Sequence, residues 1–276
     1  IASALSDVGV DVVSVANNHA YDQGAQGMLE TLAALARAQV ASIGAAADAA
    51  RAAGPHIAVR GGVRVAFVAF TERINRGPAA RGQPVTVARF DRALAADVLA
   101  RARAQADLVV LSIHWSHDFV PGPLIAQRRL ARELVALGAD VILGHGPHVL
   151  QEVERLESPR GEAICAYSLG NLVSNQGLRW TPGRRTLPDV HPAVIRPETR
   201  DGVWLRVRAR VGERIDIDPL EAVPLWTHNS AATRPNVRAP VEIRLMPLTS
   251  ADPRIVAERR PAIARALGRA VTLTEP

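Results

Sequence analysis

The sequence contains no lysine and only one cysteine, and both absences limit its chemistry. All 33 cationic side chains are arginines, and against 27 acidic side chains they give a net charge of +6. A coding bias that also enriches alanine accounts for such an excess. The functional alternative is a surface that attracts anions such as polyphosphates, nucleic acid or acidic polymers. The single Cys165 excludes a framework of internal disulfides.

Long apolar runs and nucleic-acid motifs are also missing. No stretch approaches the roughly 18 consecutive apolar residues of a membrane-spanning helix. Aromatic residues make up only 4% of the chain and form no RNP-type motif. Because zinc-finger spacing is absent as well, nucleic acid is disfavoured as a partner. With 276 residues, 48% of them hydrophobic, the chain is long enough to bury a sizeable core.

The first two-thirds of the sequence alternates strand and helix patterns, which predicts an α/β sheet. The predicted strands are 10–16, 63–70, 108–113 and 141–144, the predicted helices are about 27–39, 91–105 and 124–137, and 71–89 is a predicted loop. After residue 149 successive strands follow instead. They are predicted at 149–154, 162–169, 203–211, 214–218 and 221–226, with a long surface loop at 173–201 and a final helix at about 253–268.

Three of the predicted buried strands end in polar segments that contain histidine. These segments are 17–19, 114–118 and 145–148. In open α/β sheets, ligands bind in the crevice beyond the carboxyl ends of the strands. Three consecutive parallel strands would therefore bring the imidazoles into one pocket.

Metal binding and acid catalysis are the chemistries that these residue types favour. Imidazole binds zinc, iron and manganese, and amide oxygens complete harder sites. We therefore expect Asn18, His114, His145 and His148 to hold one or two divalent ions, with His19 as a general acid.

Each of these residues also has an ordinary structural interpretation. A histidine that follows a strand is often a loop residue with satisfied hydrogen bonds, and the pair Asn17–Asn18 is typical of a turn. His117 and Asp118 are either turn residues or a carboxylate–imidazole pair that supports a metal ligand. Their coincidence beyond three buried strands favours the metal hypothesis.

Four segments of the sequence resemble one known family. In chain order they are "ANNHAYDQGAQGMLETLAAL", "SIHWSHDF", "GADVILGHGPHVLQEVE" and "AYSLGNLV". They are similar to the CapA/PgsA family, which is named for poly-γ-glutamate (capsule) biosynthesis and is a branch of the calcineurin-like metallophosphoesterase superfamily. The resemblance covers residues 5–175 well and extends loosely to about 228.

The resemblance implies a four-layer α/β/β/α sandwich with a two-metal site at the strand ends. Asn18 matches the ligand of the superfamily's "GNH" motif, and His19 matches its acid histidine. His114 matches the middle ligand, and His145 and His148 match the final "GH…H" pair. The implied cofactors are two divalent ions in the complete protein, with manganese, iron and zinc as plausible identities.

Further side chains are expected to contact the substrate or to support the ligands. Part of this set falls on the family's "YSLGN" motif, which lines the site. The set consists of Asn17, Asp22, His117, Asp118, Tyr167, Ser168 and Asn171.

Two departures from the family pattern affect these expectations. The Asp-x-His and Gly-Asp motifs, which supply a bridging carboxylate, would precede Ile1. The chain is therefore expected to be either a fragment that lacks its first strands or a degenerate member. Gly146 also stands where relatives often carry another histidine. We expect a metallophosphatase-type domain over 1–228 and a C-terminal extension with a terminal helix over 229–276.

Two functions are compatible with this resemblance. The first is metal-dependent hydrolysis of a phosphoester or related anionic substrate, small or polymeric. The alternative is a non-catalytic accessory or binding component of polymer synthesis or export, with membrane-bound polymer synthases as partners. Family members are commonly anchored outside the cytoplasmic membrane, so the resemblance implies the cell envelope as location.

Overall fold

A computed structural model of the chain describes residues 1–77, 84–183, 189–234, 236 and 238–276. Residues 78–83 of the expected loop at 71–89, and residues 184–188 of the expected loop at 173–201, lie outside the described residues.

The long helices occur where the apolar spacing predicts them. The described helices are α1 Ala2–Asp7, α2 Gly24–Arg37, α3 Ala49–Ala53, α4 Arg92–Gln105, α5 Ile125–Ala136, α6 Pro192–Ile195 and α7 Pro253–Leu267. Aspartates fix three of the starting points. Asp48 accepts from Arg51 N at 2.8 Å, Asp91 accepts from Leu94 N at 2.9 Å, and Asp252 accepts from Arg254 N at 2.8 Å. Within the described ranges, no helix is long and apolar enough to cross a membrane.

The strands form two principal sheets and two small pairs. The strands are β1 Val12–Ser14, β2 Ala41–Ile43, β3 Ala45–Ala46, β4 His56–Arg60, β5 Val63–Thr71, β6 Thr86–Val87, β7 Leu108–His114, β8 Val141–His145, β9 Val153–Ser158, β10 Gly161–Ala166, β11 Asp201–Arg206, β12 Ala209–Val211, β13 Ile215–Ile217, β14 Leu220–Asn229, β15 Ile243–Pro247 and β16 Val271–Leu273. Sequence patterns did not predict β2, β3, β4, β6, β15 or β16.

The large sheet has eight strands and positions the candidate site. Its order is β12-β13-β10-β8-β7-β5-β4, with β9 paired to β10. The central strands β5, β7, β8 and β10 run parallel, so their carboxyl ends meet at one edge of the sheet. The smaller sheet has the order β11-β14-β15, with β16 paired to β14.

Helices and the smaller sheet cover opposite faces of the large sheet. Leu99 of α4 and Leu134 of α5 pack with Ile113 of β7 in one buried cluster. Ile164 of β10 packs with Trp226 of β14 in a second cluster. Helix α7 contributes to this second cluster and contacts β16. The predicted α/β class of metallophosphatase-like sandwich is confirmed.

The expectation that three histidine-bearing strands share one sheet is wrong for the first of them. Strand β1 is shorter than predicted, and among the described residues it pairs only with β2, in parallel, in a separate two-stranded sheet. Strand β2 approaches β5 without forming a ladder with it. Only β7 and β8 are hydrogen-bonded neighbours among the three strands.

Three other boundaries also differ from the predictions. The predicted strand 203–211 is two strands, because β11 belongs to the smaller sheet and β12 to the large one. The predicted surface loop 173–201 includes α6 and a 3₁₀ turn at Pro197–Arg200, and its Trp180 and Ile195 are buried in the core. Apolar packing outweighs the many prolines there. Strand β9 begins at Val153, after residues that form a loop.

The C-terminal segment 229–276 contributes to the smaller sheet. Strand β15 pairs antiparallel with β14, and β16 pairs parallel with it. Ile263 and Leu267 of α7 are buried in the cluster between the sheets. The division of the chain at residue 228 stays a prediction.

Candidate metal centre

Two imidazoles meet at the carboxyl ends of β7 and β8. His114 and His145 are the last residues of these strands and are partners in the parallel register. Their ring centroids lie 5.1 Å apart, with the ring planes at 78°. Register partners on neighbouring strands point to the same face, which explains why residues that are far apart in sequence form one cluster.

A tight turn after β8 directs His148 back toward this cluster. Gly146 has φ +112°, and a Cβ at this position would meet the carbonyl oxygen of Trp115 and lie 3.1 Å from Cε1 of His114. The turn therefore requires glycine at position 146. His148 itself has φ +61°, a conformation that costs on the order of 1 kcal/mol or more in a non-glycine residue.

Asn171 holds His148 in this conformation. Its Oδ1 lies 3.0 Å from Nδ1 of His148, and its Nδ2 donates to the backbone oxygens of Thr199 at 2.8 Å and His148 at 3.3 Å. Because Nδ2 donates, Oδ1 is the acceptor, and Nδ1 of His148 carries the hydrogen. The lone pair of His148 is therefore on Nε2, as a metal-ligating imidazole requires.

The other two imidazoles also have a nitrogen atom available. Nε2 of His145 lies 3.0 Å from Oγ of Ser112, which leaves Nδ1 of His145 free of this contact. Nδ1 of His114 is buried and has no hydrogen-bond partner among the described residues. A buried nitrogen without a partner is costly unless a ligand satisfies it.

Burial keeps two of these rings neutral. Desolvation, followed by the charge of Arg73, lowers the pKa of His114 to about 4. Desolvation and the neighbouring His114 lower the pKa of His145 to about 3. Neutral imidazole is the form that binds metal ions, because protonation removes the lone pair.

Arg73 is a site residue that the sequence reasoning missed. Its Nη1 donates to the backbone oxygen of Ser116 at 3.1 Å, and its Nη2 forms an ion pair with Asp118 at 3.2 Å. Asp118 thus lies near the cluster, where its charge acts on the pKa of His114. The available signal was position, because Arg73 lies two residues beyond the carboxyl end of β5.

The segment 17–19 reaches the loop after β5 but places its side chains in different settings. Asn18 is buried, and its backbone oxygen accepts from Asn75 N at 2.8 Å. Asn17 accepts from the backbone N–H of His19 at 2.9 Å, which is the expected turn contact. His19 is 58% exposed, and its Nδ1 lies 2.6 Å from Oδ2 of Asp22. His19 and Asp22 line a cavity of about 570 Å³ beside α2.

The remaining predicted residues do not join the imidazole cluster. Tyr167 is fully buried, and its hydroxyl donates to Glu154 at 2.9 Å. Ser168 is also buried and accepts from the N–H of Gly170 at 3.3 Å, which shapes the turn before Asn171. His117 is exposed.

The cluster fits part of a divalent metal site. The unpartnered nitrogen of His114 and the oriented ring of His148 are donors that zinc, iron and manganese accept. In the part of the chain that the structure describes, however, no group of three or more His, Cys, Asp or Glu side chains is arranged to hold a metal ion. Oxygen donors such as the buried Asn18 would have to complete the coordination.

Comparisons with known proteins agree with this architecture. A family model described as bacterial capsule synthesis protein PGA_cap matches residues 1–176. The PGA biosynthesis protein CapA of Bacillus subtilis is 36% identical over 182 residues, which cover 65% of this chain and 46% of that protein. The capsule biosynthesis protein CapA of Bacillus anthracis is 34% identical over 182 residues, which cover 64% and 43%. The chain spans less than half the length of these two relatives.

A solved structure supports the fold. The NAD nucleotidase of Haemophilus influenzae matches with a TM-score of 0.50 at 14% identity, over 99% of this chain and 45% of that chain. At this identity the likeness concerns the fold alone, which is of the calcineurin-like metallophosphatase type. Since the family match covers more than half of its length, the chain belongs to the bacterial capsule synthesis protein family PGA_cap.

Proposed function

We propose that this protein acts in the biosynthesis of a capsule-type envelope polymer, poly-γ-glutamate or a related chain, as a metal-dependent hydrolase of a phosphoester or related anionic substrate. The observation that carries the proposal is the buried, unpartnered Nδ1 of His114 beside the neutral ring of His145. Such a nitrogen is a poor structural element and a good metal ligand.

The residues divide the work between holding metal and moving a proton. His114, His145 and His148 would hold the metal, with Asn18 as an oxygen donor and Asn171 fixing the ring of His148. Divalent ions, when bound, supply charge neutralisation at a phosphoryl group and lower the pKa of water. The substrate would lie between this cluster and the 17–22 segment.

His19 is the proposed general acid. Asp22 accepts at Nδ1 of His19 and so orients the ring, which leaves Nε2 to donate a proton to a leaving oxygen. The exposed side chain of His19 suits a group that contacts a substrate entering from solvent. Arg73 supplies a positive charge that acts on His114, where a substrate oxyanion would approach.

Location and partners follow from the family as further parts of the proposal. The substrate is an anionic small molecule or polymer, membrane-bound polymer synthases are the proposed partners, and the cell envelope is the proposed location.

Elemental analysis of purified protein tests the metal site. We expect the purified protein to carry up to two divalent ions per chain, and His114→Ala and His148→Ala to lose metal. The matched control is His228→Ala, because His228 lies on β14, outside the cluster, and should leave metal content unchanged. Absence of metal from the purified protein would contradict the proposal.

Turnover requires a separate measurement. His19→Ala is expected to retain metal and to lose hydrolysis of a generic phosphoester by about 10²- to 10⁴-fold, the usual contribution of a general acid. Equal turnover in His19→Ala and the unaltered protein would remove His19 from the mechanism.

A non-catalytic accessory role is the second candidate. It is favoured by the lack, among the described residues, of a complete group of acidic and histidine ligands. This role predicts stoichiometric association with an anionic polymer and no hydrolysis beyond that of free metal ions. The same two assays therefore separate the candidates.

A further inference from the structure

A second cavity lies beside the candidate metal centre. It has a volume of about 550 Å³ and three walls, which are the loop after β7, residues 196–201 and helix α7. We call it the α7 cleft. Phe119, Pro121 and Leu150 form an apolar wall, whereas Arg196 and Arg265 contribute positive charge. A cavity of this size suits a small ligand or a short length of chain.

Two of the three arginines that line the α7 cleft have no acidic partner among the described residues. The third, Arg259, is paired with both lining acids. Its Nη2 lies 2.6 Å from Oδ2 of Asp201, and its Nη1 lies 3.6 Å from Oε1 of Glu198. Arg196 and Arg265 form no ion pair with any residue that the structure describes, and the guanidinium of Arg196 donates to the backbone oxygen of Phe119 at 3.4 Å. Three arginines against two acids give the cleft an excess of one positive charge. An anion is the complementary ligand.

Phe119 connects the α7 cleft with the metal centre. Its ring stacks on His148 with a centroid distance of 5.5 Å and an interplanar angle of 23°. The N–H of Phe119 donates to the oxygen of Pro147 at 2.8 Å, which fixes the loop against the turn that carries His148. Phe119 has φ +59° and His148 has φ +61°. Such strained backbone is concentrated at ligand sites.

We propose that the α7 cleft binds a carboxylate-bearing chain next to the metal centre. Arg196 and Arg265 bind carboxylates, and the wall of Phe119 and Leu150 covers the methylene groups between them. Planar guanidinium groups match carboxylates in two-point hydrogen bonds, and an excess of one charge suits a chain of separated carboxylates better than a dense polyphosphate. The identity of this chain as the envelope polymer rests on the proposed function.

Titration calorimetry with a γ-linked tetraglutamate peptide tests the cleft on the metal-free protein. We expect one peptide to bind per chain, and Arg196→Gln and Arg265→Gln each to weaken binding by about fivefold, as for a partly exposed charged hydrogen bond. Arg254→Gln is the matched control, because Arg254 lies on the same helix with an 83% exposed side chain and does not line the cleft. Circular dichroism melting verifies that each variant folds. If Arg196→Gln does not fold, Arg265→Gln still tests the cleft, because the Arg265 side chain is exposed.

Several outcomes would overturn the proposal. The first two are no binding of the tetraglutamate peptide, and equally tight binding of a version whose free carboxylates are amidated. The other two are tighter binding of inorganic triphosphate than of the peptide, and a loss of peptide affinity in Arg254→Gln as large as that in Arg265→Gln. Metal content and turnover are measured on the purified protein before its metal is removed for calorimetry. Peptide binding by a protein that carried no metal would support the cleft and contradict the hydrolase. Metal and turnover without peptide binding would support the hydrolase and contradict the cleft.

Discussion

Replacing Arg259 with methionine should destabilise the protein by about 3–5 kcal/mol at pH 8, the usual cost of removing one partner from a buried ion pair. Arg259 of α7 and Asp201 of β11 are each only 4% exposed. Nη2 lies 2.6 Å from Oδ2, and Nε lies 3.3 Å from Oδ1. The substitution leaves the buried carboxylate of Asp201 without its cation.

The cost of this substitution should depend on pH. Burial raises the pKa of Asp201 to about 7, although Arg259 lowers it. A folded-state pKa above the unfolded value of about 3.9 means that stability is lost as pH rises from about 4 to 7, where only the unfolded carboxyl ionises. Without Arg259 the pKa rises further, so the loss continues above pH 7. Above pH 7, the difference in the free energy of unfolding between the unaltered protein and the variant should therefore widen by about 1.4 kcal/mol per pH unit.

Urea denaturation at pH 6, 7 and 8, followed by tryptophan fluorescence, measures this effect. Trp180 and Trp226 are buried in the core cluster that also includes α7, so their emission reports on unfolding of this region. Arg254→Met is the control and should change the free energy of unfolding by no more than about 0.5 kcal/mol. The double substitution Arg259→Met with Asp201→Leu should recover most of the loss.

A loss below about 1 kcal/mol, or a gap that is the same at pH 7 and pH 8, would refute this reasoning. The first result would mean that water reaches the pair. The second would mean that Asp201 ionises normally without Arg259.

Three further substitutions have definite expected results. Asn171→Ala should weaken zinc binding by at least about tenfold in a competition titration, because it removes the acceptor that orients His148. Unchanged affinity would contradict this role. Gly144→Ala should lower the free energy of unfolding in urea by about 1–3 kcal/mol or more, since its Cβ would meet the backbone that follows β10. Arg73→Gln should raise the pKa of His114 above about 4 in an NMR titration of metal-free protein, because a repelling charge is lost while burial remains. An unchanged pKa would mean that the charge of Arg73 does not act on His114.

Periodicity was sufficient to predict the central parallel strands of the large sheet and the helices that cover one of its faces. The runs that became β7 and β8 are apolar and β-branched, and α4 and α5 follow helical spacing, so local sequence and tertiary packing agree there. The proximity of His114 and His145 followed from the same reasoning. Both residues end parallel neighbours, and the carboxyl ends of such strands meet at one edge of the sheet.

Side-chain direction and sheet membership could not be predicted in this way. The alternation across 203–211 is the same in β11 and β12, although distant partners place these strands in different sheets. Tyr167 lies in the matching motif, but its ring packs in the core and its hydroxyl finds Glu154. Arg73 reaches the site only through the fold of the loop after β5. Each of these outcomes depends on contacts between segments distant in sequence.

The route of the chain between the two sheets has a consequence for how the protein folds. The chain leaves the smaller sheet after β11, adds β12 and β13 to the edge of the large sheet, and returns to the smaller sheet as β14. Neither sheet can therefore be completed while the other is still disordered. Loop closure must precede most of the stabilising contacts, which slows folding. Both sheets should accordingly unfold together as a single cooperative unit. Division of the chain anywhere within 201–220 should therefore not give two parts that fold independently.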